Sequence, residues 1–270
     1  MPPAGQIVVD PSRITPIGDS AGLPLPVDPY LWSAAENDQL RRAEDLLIAR
    51  CVAGFGLVMP PTPRRSDVGP ATATSRRYGL TSATEAAATG YRLAGAPTGP
   101  QPAPEPAATG GELNAVLEGG SGRVRDRPVP AGGCRGEADR RLGDGAQLGV
   151  ADVAQDVNGH AWEMSRTHPL VTAAFAAWSR CMAAAGVDYP DPMAAMNDSR
   201  FVGTPTATEI AVARADVACK VAGNTTGIWY AVEADVQRAL IAANGPALDA
   251  ARRAKSEQLG HAREVLAAGP

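Results

Sequence analysis

The chain predicts a mainly α fold: two disulfide-stapled helical units, long irregular Pro/Gly-rich connections, and a long C-terminal helix. Three observations carry that prediction. First, one pattern occurs twice. Arg50-Cys51-Val52-Ala53-Gly54-Phe55-Gly56-Leu57-Val58-Met59-Pro60 aligns without a gap on Arg180-Cys181-Met182-Ala183-Ala184-Ala185-Gly186-Val187-Asp188-Tyr189-Pro190. Each copy reads as the last turns of a helix, with a cysteine near its end, a glycine stop and a proline exit. Second, Ser33-Ala34-Ala35-Glu36, Ser82-Ala83-Thr84-Glu85 and Thr206-Ala207-Thr208-Glu209 are capping boxes, in which hydroxyl and carboxylate satisfy each other's free backbone N–H groups. Third, alanine is heavily used and aromatics make up only 4% of residues, which favours closely packed helices over a β-sandwich.

The chain has 270 residues, enough for one large or two small domains. Its net charge of −4 is mild and no basic run is present to neutralise phosphates, so nucleic acid is not an expected partner. No apolar run reaches transmembrane length. None of the four cysteines sits in a C-x-x-C pair, which argues against a zinc knuckle or a thioredoxin-like site. The opening MPPAGQIVVDPSR lacks the basic and apolar regions of a signal peptide. Two readings follow: reduced cysteines in a cytoplasm, or an export signal missing from this start.

Residues 1–27, rich in Pro, Gly, Asp and Ser, read as a disordered or extended lead. Residues 28–145 form the first expected unit. Its first helix opens at Ser33, carries Leu40, Ala43, Leu47 and Cys51 on one face, and stops at Gly54 and Gly56. The pairs Arg64-Arg65 and Arg76-Arg77 read as solvated surface. Ser82 opens a short helix that Gly90 ends, with Tyr78 and Tyr91 as packing anchors. Residues 95–111 are a mobile Pro/Gly loop, and Glu112–Glu118 supplies one helical turn or two. Two glycines precede Cys134, and a short helix follows.

Residues 146–270 form the second expected unit. Leu148, Val153, Val157, Ala161 and Met164 mark one helix. Pro169 suits the first position of the next, which runs through Val171, Phe175, Trp178 and Cys181 to Gly186. Thr206 opens a third, with Ile210, Ala213, Val217 and Cys219 on its apolar face. Residues 227–268 carry the longest helical pattern, with a kink or break expected at Asn244-Gly245-Pro246. Asp216, Lys220, Glu233 and Gln237 are polar positions that a network between two helices would bury.

Four cysteines allow three pairings. Cys51–Cys134 and Cys181–Cys219 are the expected ones, because each joins a helix-corner cysteine to the next along and stays within one unit.

The combination resembles a group of uncharacterised exported or lipid-anchored actinobacterial proteins. The resembling parts are the Arg-Cys-Val/Met-Ala corner with Phe55-Gly56, Arg77-Tyr78-Gly79, Gly90-Tyr91, Gly132-Gly133-Cys134-Arg135-Gly136-Glu137-Ala138, Trp178–Met182, and Ala215–Lys220 followed by Trp229 and Gln237. That resemblance implies an extracytoplasmic location and assigns no catalytic, cofactor or metal residues. The expected function is therefore a non-enzymatic binding or scaffold protein of the cell envelope, partnered by an envelope protein or a transport complex. The alternatives are a hydrolase with a dispersed site drawn from His160, Glu163, His168 and Asp216, or a thiol-redox protein using Cys134. His160, Glu163 and His168 do not form a metal set, because Pro169 breaks the helix geometry that would join them.

Overall fold

Capping residues place the helices. A computed structural model describes residues 7–60, 72–93, 110–201 and 203–269. Among the described residues the α-helices are α1 (Ala34–Gly54), α2 (Ala83–Thr89), α3 (Gly111–Glu118), α4 (Gly133–Gly143), α5 (Asp152–Arg166), α6 (Pro169–Ala184), α7 (Pro192–Met196), α8 (Ala207–Ala222), α9 (Thr225–Ala243) and α10 (Gly245–Ala267). The fold is mainly α, with disulfides Cys51–Cys134 and Cys181–Cys219. Arg64-Arg65 and most of the 95–111 loop lie outside the described residues.

Only one of the three boxes closes fully. Ser33 Oγ accepts from Glu36 N at 3.2 Å, and the Glu36 carboxylate accepts from Ser33 N at 2.8 Å. Ser82 and Thr206 cap Glu85 N and Glu209 N, but both glutamate side chains turn elsewhere. Glu85 pairs with Arg76 at 2.8 Å, and Glu209 accepts from Tyr91 N at 3.2 Å.

The chain forms two compact units that interleave along the sequence. The described residues of unit I fall in 7–27, 72–93 and 156–243; those of unit II fall in 28–60, 110–155 and 244–269. Packing therefore does not divide at 145/146. In unit I, α2 packs on α8; in unit II, α10 packs on α1 and α4. The choice of partner helix is a long-range matter that local periodicity does not encode.

Unit II is built on aliphatic side chains. Leu40, Ala43, Leu47, Ile48 and Val52 of α1 meet Val116 and Leu117 of α3, Ala138 and Leu142 of α4, and Ala262 and Val265 of α10. Spacing of three and four residues keeps the α1 set on one face. Cys134, at the start of α4, bonds to Cys51 near the end of α1. Gly133 has φ +67°, and a Cβ there would lie 2.2 Å from Leu117 O, so the close approach of α3 and α4 needs glycine. A small hairpin, β1 (Arg123–Val124) and β2 (Arg127–Pro128), adds an element absent from the sequence reading. Its turn residues Arg125 and Asp126 both have positive φ. Arg125 anchors it by donating to Phe55 O at 3.2 Å and Gly56 O at 3.0 Å.

Unit I packs α6 against α8 and α9. Trp178 and Met182 of α6 meet Val212, Ala213 and Val217 of α8, with Leu80, Ala86 and Tyr91 around them. Trp229 of α9 is ringed by Phe175 at 5.0 Å, Tyr78 at 5.3 Å and Trp162 at 5.9 Å between ring centroids. Cys181–Cys219 ties α6 to α8. His168 caps α6 through Nδ1, which accepts from Leu170 N at 3.2 Å, and Pro169 takes the first turn.

Residues 7–27 are not a free tail. They run along unit I, pinned by side chains far away in sequence. Asn224 Oδ1 accepts from Ile17 N at 3.1 Å, Thr81 Oγ1 from Ser20 N at 3.0 Å, and Gln237 Oε1 from Val27 N at 3.1 Å. Tyr230 Oη donates to Pro24 O at 2.7 Å. Backbone polar groups that make no ladder of their own are satisfied by these remote amides and hydroxyls. Beyond them, the expected long terminal helix is two: α9 ends at Ala243, and α10 restarts at Gly245 with Pro246 in its first turn.

Candidate functional site

The chemistry-bearing side chains of unit I converge on the short stretch Arg76–Thr81. Arg77 grips the fully buried Glu233 of α9: Nε donates to Oε1 and Oε2 at 2.7 and 3.0 Å, and Nη2 donates to Oε1. Nη2 also donates to Asn158 O at 2.9 Å. Gln237, one turn on, donates to Glu233 Oε1 at 2.9 Å. Arg76 points the other way, donating to Glu85 at 2.8 Å, Arg92 O at 3.0 Å and Tyr91 O at 3.2 Å. Three residues further along, Leu80 O accepts from Lys220 Nζ at 2.7 Å. Lys220 pairs with Asp216 at 2.9 Å, and Asp216 Oδ1 accepts from Trp178 Nε1 at 3.0 Å. Gly79 makes this geometry possible: its φ is +78°, and a Cβ there would sit 2.8 Å from Lys220 Nζ.

Two sequence expectations are corrected here. Arg76 and Arg77 are not a solvated basic pair; their side chains are 10% and 13% exposed and each holds a carboxylate. Asp216, Lys220, Glu233 and Gln237 are all buried, but they do not bridge two helices. They form one pair within α8 and one within α9, at i,i+4 spacing, each answered by the 76–80 stretch. Arg77 and Leu80, which answer the two pairs, lie far from them in the chain, so that part of the arrangement was not visible in local spacing. Glu209, read from the sequence only as a capping carboxylate, is also buried, and Arg92 lies 3.7 Å from it.

Burial dominates the electrostatics. It raises the Asp216 carboxyl, against the pull of Lys220, and lowers the Lys220 ammonium, against the pull of Asp216. Burial, with Glu233 nearby, holds the Tyr78 phenol far above its ordinary range; burial, with Asp216 nearby, does the same for Tyr91. Asp216 and Lys220 are spent on each other, and all four groups are buried. Arg76 Nε and Glu209 Oε2 are buried with no hydrogen-bond partner, a condition that costs about 1–3 kcal/mol per group.

Two openings border this core. One, of about 420 Å³, lies between residues 7–15 and the α9 stripe of Gly227, Ala231, Ala234 and Arg238. The other, of about 390 Å³, is bounded by Ala73, Arg76, Arg77, Trp162 and Met193. Trp162 Nε1 donates to Arg77 O at 3.0 Å, and the Arg166 guanidinium lies 4.8 Å from the Trp162 ring centroid.

The residues nominated for hydrolysis are not assembled. His160 and Glu163 are exposed on α5. His168 is buried, its Nε2 bonded to Ile7 O at 3.1 Å. Asp216 is committed to Lys220 and Trp178. Among the described residues no group of three or more His, Cys, Asp or Glu is placed to hold a metal ion. Cys134 is fully buried in its disulfide. Among the described residues no helix is long and apolar enough to cross a membrane.

No protein-family model, curated protein or solved structure matches the chain. The functional reading therefore rests on the residues themselves.

Proposed function

We infer that the protein is a non-enzymatic helical binding or scaffold module of the cell envelope, working outside the cytoplasm beside an envelope protein or transport complex. One observation carries this reading: all four cysteines are paired, and each disulfide closes inside one compact unit. Disulfides form and persist in oxidising compartments. Loops of these separations stabilise by about 3–5 kcal/mol each in the chain-entropy model. The buried ion pairs of unit I support the same reading, because they spend the ionisable side chains on architecture. The resemblance to exported actinobacterial proteins points the same way.

The test is cross-linking in cells that make the tagged full chain, followed by fractionation and purification. Recovery of a defined complex from the envelope fraction is the expected result. A monomer confined to the cytoplasmic fraction, without a partner, contradicts the proposal.

A further inference from the structure

The 390 Å³ cleft of unit I has one open guanidinium nitrogen, Arg77 Nη1, among lining residues that include Trp162 and Met193. Arg77 commits Nε and Nη2 to Glu233 and Asn158 O, and Nη1 donates to no protein group among the described residues. Arg76 commits Nη1 and Nη2 to Glu85 and to the carbonyls of Tyr91 and Arg92, while its Nε has no partner. A guanidinium presents five donors in a rigid planar fork that fits a carboxylate along one edge. In Arg77 one edge is filled by Glu233, and the donors of the remaining nitrogen are open.

The rest of the lining is different in kind. Trp162 and Met193 are half-buried and line the same opening. The indole cannot swing away, because its Nε1 is bonded to Arg77 O and Arg166 lies beside its ring. Arg166 brings a third guanidinium close to the cleft, and its Nε is likewise buried without a partner. A flat ring suits a tryptophan face, and a flexible thioether adapts to it.

We propose that this cleft binds a small aromatic carboxylate, with the carboxylate accepting from Arg77 Nη1 and the ring lying against Trp162 and Met193. The site goes beyond the envelope reading and does not depend on it. The opening is shallow, and it sets apolar side chains beside one open polar group, the combination that small-molecule sites use. Arg76 and Arg77 already face Glu85 and Glu233, so the pair adds little net charge. Recognition then comes from donor geometry and ring contact, and plain inorganic anions bind less well.

The experiment follows the Trp162 indole N–H signal of the ¹⁵N-labelled full chain by NMR, assigned through Trp162→Phe. The probes are benzoate, its neutral near-isostere benzamide, and sulfate. A saturable shift with benzoate and a much weaker one with benzamide is expected, because a carboxylate accepts the charged donor more strongly than an amide carbonyl does. Met193→Glu puts a negative charge at the half-exposed rim and weakens benzoate about tenfold or more, with an unchanged spectrum elsewhere. Arg77→Lys keeps the charge opposite Glu233 and removes the open nitrogen, so the shift disappears. An equal response to benzamide, displacement of benzoate by an equal concentration of sulfate, or full binding by Met193→Glu overturns the proposal. So does the absence of a saturable shift at millimolar benzoate.

Discussion

Units I and II use helices of similar length and one disulfide each, yet they bury different things. The core cluster of unit II is mostly aliphatic, from Leu40 through Leu142 to Val265, with Phe55 and Cys134 among its buried members. Unit I buries Glu209, Asp216, Lys220, Glu233 and Gln237 beside its tryptophans. The aliphatic core is held by area removed from water, so many substitutions of similar volume are tolerated. The charged core is held by matching, where every member depends on a named partner. Replacing a whole buried pair by apolar residues is often harmless, whereas removing one partner is not.

The largest effect expected from that contrast is at Arg77. Arg77→Ala leaves the Glu233 carboxylate buried with only Gln237 to answer it, and destabilises unit I by about 3–5 kcal/mol. Three of the four tryptophans, Trp162, Trp178 and Trp229, belong to unit I, so denaturation followed by fluorescence reads this unit. A loss under about 1 kcal/mol would mean that the pair is solvated, like an ordinary surface pair.

Next comes the Asp216–Lys220 pair. Lys220→Met strands Asp216 and costs about 3–5 kcal/mol, while adding Asp216→Leu removes the stranded charge and recovers part of that loss, with Leu80 O still lacking its partner. The sign of the pH effect follows from burial. The native Asp216 carboxyl is raised above its ordinary value, so its contribution to stability is complete at low pH and is lost as pH rises through the raised value. Removing Lys220 raises it further. The deficit of Lys220→Met against wild type is therefore smaller at about pH 5 than at about pH 7. Thermal midpoints at the two pH values check this; a deficit that grows on acidification contradicts it.

This contrast also explains what the sequence disclosed. Unit II was legible: Leu40, Ala43 and Leu47 repeat at helical spacing, and Ser33 with Glu36 closes the box that the spacing predicts. The Cys51–Cys134 pairing followed from the corner pattern. Unit I was legible in its Cys181–Cys219 pairing and where local rules operate, as at Pro169 and Gly90. Arg76 and Arg77 looked like solvated charge because their partners, Glu85 and Glu233, are chosen by tertiary packing. The diverted Glu85 and Glu209 side chains show the same override, since each carboxylate turns to a partner outside its own capping motif. One signal was available: Asp216, Lys220, Glu233 and Gln237 interrupt otherwise apolar helix faces at i,i+4 spacing.

The smallest effect belongs to unit II. Ser33→Ala removes one cap and costs about 1 kcal/mol, visible in far-ultraviolet circular dichroism as a lower midpoint for part of the helical signal. Tryptophan fluorescence from unit I stays unchanged if the two units melt separately, and follows the loss if they melt as one.

Each unit is stapled by its own disulfide. Intact mass after alkylation without reduction, followed by peptide mapping, tests it most directly. The expected result is no alkylation, with linked peptides containing Cys51 with Cys134 and Cys181 with Cys219. Four alkylated thiols, or a link between Cys134 and Cys181, would contradict it.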